Sequence, residues 1–183
     1  MNAWINAILY QLTWLAAVGG AGHGWWWAGP AAALVFAAWQ LGASRVRRAD
    51  FFLILVAVVL GLLVDSLFAR SGLLRYAAAA PWHQFAPAWI LALWVGFALT
   101  LNHSLAYLKT HLPAAAALGG IGAPLAYWAA ASGFGAVMFP ADPTPSLATL
   151  ALVWALLVPA LCLTARHLSA QQSRPVALHG SAR

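Results

Sequence analysis

Apolar residues run along this chain in blocks of about twenty, broken by short stretches where polar residues, glycine and proline collect. A helix of about twenty apolar residues spans a hydrocarbon core roughly 30 Å thick, so each block predicts a membrane-spanning helix. Six spans fit, at about 3–21, 26–43, 51–69, 87–107, 114–138 and 146–165. His23 and Gly24 predict a tight turn after the first span, and Trp25, Trp26 and Trp27 follow it as an interfacial belt. Pro30 falls in the first turn of the second span, where a missing N–H does little harm. Ser44-Arg45-Val46-Arg47-Arg48 reads as a short basic loop with Asp50 after it, and Phe139–Pro145 as a loop stiffened by three prolines. The expected fold is an all-α bundle of six transmembrane helices in one domain, residues 1–168. The polar remainder, 169–183, is expected to be a disordered tail.

Composition sharpens this picture. Of 183 residues, 64% are hydrophobic and 7% charged, where a soluble domain carries about 25% charged residues. Acids are limited to Asp50, Asp65 and Asp142, with no Glu, which argues against a carboxylate-bridged metal centre or a paired-carboxylate hydrolase. Cys162 is alone, so neither a disulfide framework nor a cysteine-based metal site is expected, and no phosphate loop or nucleophile elbow appears. No cofactor is implied. The first helix lacks a basic n-region and a cleavage site, so it is expected to be retained. The net charge of +6 is read as orientation in the membrane, not as nucleic-acid binding. With a cytoplasmic N-terminus, Arg45, Arg47, Arg48, Lys109, Arg166, Arg174 and Arg183 lie inside, against Arg70 and Arg75 outside. Both termini are therefore expected to be cytoplasmic.

Two places in the apolar pattern carry chemistry. Asp65 is the one acid within an apolar run, and such an acid costs roughly 2.5–3.5 kcal/mol on insertion scales. Ala57, Gly61, Asp65 and Ala69 recur every four residues, a small-residue stripe that turns Asp65 toward the bundle. Gly119, Gly120, Gly122 and Ala123 offer a matching surface, and Pro124 is expected to kink it and free a carbonyl. Candidate partners for Asp65 are Tyr127, Ser132, His23, Arg70 and Arg75, with Ser66 adjacent. Asp65 reads either as a buried structural pivot or as a protonation site. The second place is Thr100-Leu101-Asn102-His103-Ser104 at the inner end of the fourth span, level with Asn2, Asn6 and Gln40. An imidazole ordinarily titrates near neutrality, so His103, with Asn102 and Ser104, is the candidate for acid–base chemistry. A capping polar cluster is the plainer alternative. Depth keeps the two places apart: at 1.5 Å per residue, Asp65 and His103 differ by about 10–18 Å in height, too far for a direct dyad.

The set Asn6…Gln11, Gly61–Leu67 (GLLVDSL), Thr100–Leu105 (TLNHSL) and Gly119–Tyr127 (GGIGAPLAY) resembles the DUF2878 family, small bacterial inner-membrane proteins with no assigned function. The resemblance runs to about Arg166. It carries Asp65, Ser66, Asn102, His103, Ser104, Gly120, Pro124 and Tyr127 onto the family pattern, and implies an association with fatty-acid methyltransferases of the cyclopropane type. From it follows the expectation of an enzyme or accessory subunit that modifies or handles lipid acyl chains, with membrane lipid and other proteins of such a pathway as partners. A structural partner of other membrane proteins, or a small proton-linked carrier using Asp65, are the alternatives.

Overall fold

The computed structural model describes residues 3–81 and 83–172. Helices α1 (Ala3–Gly22) and α2 (Ala28–Ala43) form a close pair. The chain reverses between them at Gly24, which takes the left-handed φ of +81°. A Cβ on Gly29 would fall 2.8 Å from the Ala17 Cβ, so the pair packs at backbone distance. Helix α3 (Arg47–Arg70) starts four residues before the expected span, so Arg47 and Arg48 are helical and Asp50 lies in the first turn. An acid there complements the positive end of the helix dipole.

The fourth expected span, 87–107, is not one helix. α4 (Ala88–Ala98) is eleven residues long and packs on α1, α2 and α3, burying Trp89 and Trp94. Residues 99–105 turn, and a 3₁₀ turn over Ala106–Lys109 follows. The reason is local competition: the Thr100 hydroxyl donates to the Phe97 carbonyl at 2.6 Å, and the amides of His103 and Leu105 both donate to the Thr100 carbonyl.

From Leu112 to Phe134 the chain is helical throughout, as α5 (Leu112–Ala117), a π turn (Leu118–Gly122) and α6 (Ala123–Phe134). Pro124 follows the wide turn directly, where the proline ring and missing N–H are tolerated. The expected span to 138 stops at Phe134, where Gly135 adopts the left-handed conformation that ends helices. Val137–Met138 instead forms β2, antiparallel to β1 (Arg75–Tyr76), pairing Tyr76 with Val137. The last helix, α7 (Thr144–Gln172), runs past residue 165, so Ser169 is helical and Arg166 and His167 do not close it. The tail beyond Gln172, and Asn2 and Trp82, lie outside the described residues.

Among the described residues, three helices are long and apolar enough to cross a membrane: Arg47–Arg70, Leu112–Phe134 and Thr144–Gln172. Ala28–Ala43 and Ala88–Ala98 are apolar but shorter, and Asn6, Gln11 and Thr13 dilute α1. The outer surface is greasy, with Leu34 71% and Leu156 66% exposed, a surface suited to hydrocarbon rather than water. Residues 71–81 and 83–86 fold back over one end of the bundle. Ser146 donates to the Leu73 carbonyl at 2.6 Å, Trp89 Nε1 to the Ala77 carbonyl at 2.9 Å, and the Ala86 amide to Ser66 Oγ at 2.9 Å.

Candidate functional site

Asp65 is fully buried and accepts three hydrogen bonds. The hydroxyls of Tyr76 and Tyr127 donate to Oδ1 at 2.7 and 2.6 Å, and Trp94 Nε1 donates to Oδ2 at 2.7 Å. Each donor comes from a different element. Tyr76 is set by the β1–β2 pairing, Tyr127 by α6, and Trp94 by α4. Gly61 makes the third possible: a Cβ there would stand 2.5 Å from the Trp94 ring, so only glycine one turn before Asp65 lets the indole lie against α3. Among the described residues no cation lies within ion-pair distance of Asp65. Of the other partners the sequence nominated, Ser132 bonds the Trp128 carbonyl and His23 the Gly19 carbonyl, and Arg70 and Arg75 are exposed.

The second cluster is built on Asp50, also fully buried. Ser44 donates to Oδ2 at 2.5 Å, Asn102 Nδ2 to Oδ1 at 2.9 Å, and His103 Nε2 lies 2.9 Å from Oδ2. Asn102 then turns its oxygen to two further donors, Lys109 Nζ at 2.8 Å and Ser169 Oγ at 2.9 Å. The amide thus bridges a cation and a carboxylate. Burial holds the Lys109 ammonium below the usual lysine range, against the opposing attraction of Asp50. Ser104 belongs elsewhere. Its amide and hydroxyl both donate to Asn6 Oδ1, while Asn6 Nδ2 donates to Gln40 Oε1 at 2.7 Å and the Leu99 carbonyl at 3.0 Å. The expected trio therefore divides: Asn102 and His103 meet on Asp50, and the Ser104 hydroxyl is committed to Asn6. His103 has no serine to activate, though its Nδ1 takes no hydrogen bond among the described residues. No three His, Cys, Asp or Glu side chains converge among the described residues either.

Asp50 and Asp65 stand fifteen residues apart on one helix, about 22 Å along its axis. A cavity of about 570 Å³ touches the Asp65 cluster through two of its donors, Trp94 and Tyr127, and the Asn6 network through Ser104; no member of the Asp50 cluster lines it. Its wall is mainly aromatic and aliphatic, including Trp14, Phe97 and Trp154. Lining positions on the long α5–α6 helix extend from Leu118 to Ala130, a rise of about 18 Å. Gly119 sets the far wall, since its Cβ would meet the Trp154 carbonyl at 2.1 Å and α7 could not approach. Gly120 faces Ala155 and the Ala151 carbonyl, with 3.3 Å the closest approach of a Cβ.

Sequence reasoning missed Asp50, Tyr76, Trp94, Lys109 and Ser169. Asp50 was hidden by its basic neighbours, which read as loop although they open α3. Tyr76 sits in a connection whose fold depends on a two-residue strand with no periodic signal. Trp94 had one available clue, its place opposite the Gly61 gap, which becomes visible only when the helices are paired.

A family model described as "Protein of unknown function (DUF2878)" matches residues 3–160. Comparison with curated proteins and with solved structures returns no match.

Proposed function

The chain belongs to the DUF2878 family, and from that premise we propose that it is a multi-pass protein of the bacterial inner membrane that receives the apolar chain of a membrane lipid in its central cavity. In this reading its role is lipid handling, as an accessory subunit to acyl-chain modification. The two shorter apolar helices and α1 complete a six-segment bundle with both termini cytoplasmic, in keeping with the seven-to-two split of basic residues.

The observation that carries the reading is the cavity. Its volume of about 570 Å³ falls within the roughly 300–1,000 Å³ of small-molecule sites, and it is mostly apolar. Its lining positions on the α5–α6 helix span a rise of about 18 Å, more than half of a hydrocarbon core of roughly 30 Å. The test is extraction of protein purified in mild detergent, followed by mass spectrometry. A lipid species is expected to accompany the wild type and to be lost from Ala126→Trp, which fills the cavity from α6. A correctly folded Ala126→Trp protein that keeps the same lipid would remove the reading.

An enzymatic role is favoured by one feature, the Asp50–His103 pair with Nδ1 of the ring open. It predicts that His103→Ala shifts the membrane fatty-acid profile as far as deletion of the gene does. An unchanged profile beside an altered deletion strain would discard it.

A further inference from the structure

The cavity walls are not wholly apolar, and their polar groups differ from those elsewhere in the bundle. Asn6, Gln40, Asp50 and Asp65 all have protein partners. Trp154 Nε1 does not: it is the one buried side-chain nitrogen or oxygen among the described residues without a hydrogen bond. Trp154 lines the cavity, stacked on Trp94 with ring centroids 4.7 Å apart. Tyr10, on α1, also lines the cavity, and its hydroxyl takes no partner among the described residues. Both rings pack on Phe97, Trp154 at 6.0 Å and Tyr10 at 6.3 Å between centroids, so both residues flank the same lining side chain. Gln11, next to Tyr10, lines it as well. No Lys, Arg, His, Asp or Glu is among the lining residues.

A buried N–H with no acceptor loses its hydration without compensation, and native proteins rarely leave one. An indole nitrogen only donates, so its missing partner must be an acceptor. A wall without formal charge disfavours an ionised group, whose desolvation nothing there would offset. We infer that the level of Phe97 is a polar station recognising an uncharged lipid-like molecule that carries a carbonyl oxygen within its apolar body, held by Trp154 Nε1 and the Tyr10 hydroxyl. The carbonyl of a fatty ester and that of a prenylated quinone share this chemistry. The inference rests on the cavity being a lipid site and adds what the occupant must carry.

The test compares the full chain in detergent with three probes: methyl oleate, a decyl-substituted benzoquinone, and octadecene as the hydrocarbon without oxygen. At least one carbonyl probe is expected to bind about tenfold tighter than octadecene, the effect of one or two neutral hydrogen bonds. That preference is expected to fall to near parity in Trp154→Phe with Tyr10→Phe, which keeps an aromatic ring at each position while removing both donors. The infrared carbonyl stretch of the bound ¹³C-labelled probe should shift back toward its value in hydrocarbon in the same protein. Whichever carbonyl probe is preferred identifies the source. Equal binding of all three, or a preference that survives both substitutions, would mean that water satisfies Trp154 and would overturn the inference while leaving the cavity a lipid site. Binding of none would overturn both. Melting curves of the Phe variants guard against misfolding, and the single Tyr10→Phe protein supplies a milder version of the same comparison.

Discussion

Asp65 shows how a helix long and apolar enough to cross a membrane accommodates an acid. Three neutral donors from three elements meet its two oxygens, so the carboxylate is satisfied without a cation. The arrangement ranks its variants. Asp65→Ala leaves three buried donors unpaired and should be the most destabilising. Asp65→Asn keeps the two tyrosines on its oxygen but turns an NH₂ toward Trp94 Nε1, and should cost about 1–3 kcal/mol. Tyr127→Phe removes one donor and should cost the least of the three. Unfolding in SDS-containing micelles measures the order, and Asn and Ala variants of equal stability would refute it. Asp50 differs because a lysine and an imidazole stand near it. Removing it by Asp50→Ala unties Ser44, Asn102 and His103 together, and breaking a buried pair of this kind costs about 3–5 kcal/mol. The same assay should show Asp50→Ala well below Ser169→Ala, which removes only one of two donors to Asn102.

Between elements, glycine decides which helices approach. Gly119 sits where a Cβ would meet the backbone of α7, whereas Gly133 faces open space on the same long helix. Gly119→Ala should therefore destabilise by about 1–3 kcal/mol, the usual cost of overpacking. Gly133→Ala should be neutral or stabilising by about 0.5–1 kcal/mol through helix propensity. Thermal denaturation of the two purified variants checks the contrast, and similar melting temperatures would contradict it. The stripe Ala57, Gly61, Asp65 showed in the sequence which face of α3 turns inward, because small residues at every fourth position mark close packing. The end of α4 was less legible. The run through Thr100–Ser104 continues a helical pattern, and it turns because its side chains bond backbone and neighbouring helices instead of hydrocarbon.

For the whole bundle, orientation and occupancy can be measured separately. In a Cys162→Ala background, Arg75→Cys should react with a membrane-impermeant maleimide on intact cells. Arg45→Cys should react only after the inner membrane is opened. Both positions are exposed, and the reverse pattern would invert the topology. The outward leucines and valines of α2, α3 and α7 make lipid the natural solvent of the outside. The cavity brings an apolar surface to the inside as well, and it meets groups already engaged elsewhere, Trp94 and Tyr127 with Asp65 and Ser104 with Asn6.

Composition and block length were enough to establish a helical chain with membrane-spanning character, and one lone acid on a small-residue face was enough to place Asp65 inside. Those are local properties, written in hydropathy and in the spacing of a single helix. The partners of Asp50 and Asp65, the split between Ser104 and His103, and the cavity with its unpartnered indole could not be read the same way. Each depends on which helices are neighbours and how far they slide past one another, and contacts between residues scores of positions apart leave no periodic trace in either segment. Packing of α4 against α3 through the Gly61 gap fixes the Trp94 contact to Asp65. Packing of the long α5–α6 helix on α7 at Gly119 sets the cavity wall, and α1 holds Ser104 through Asn6.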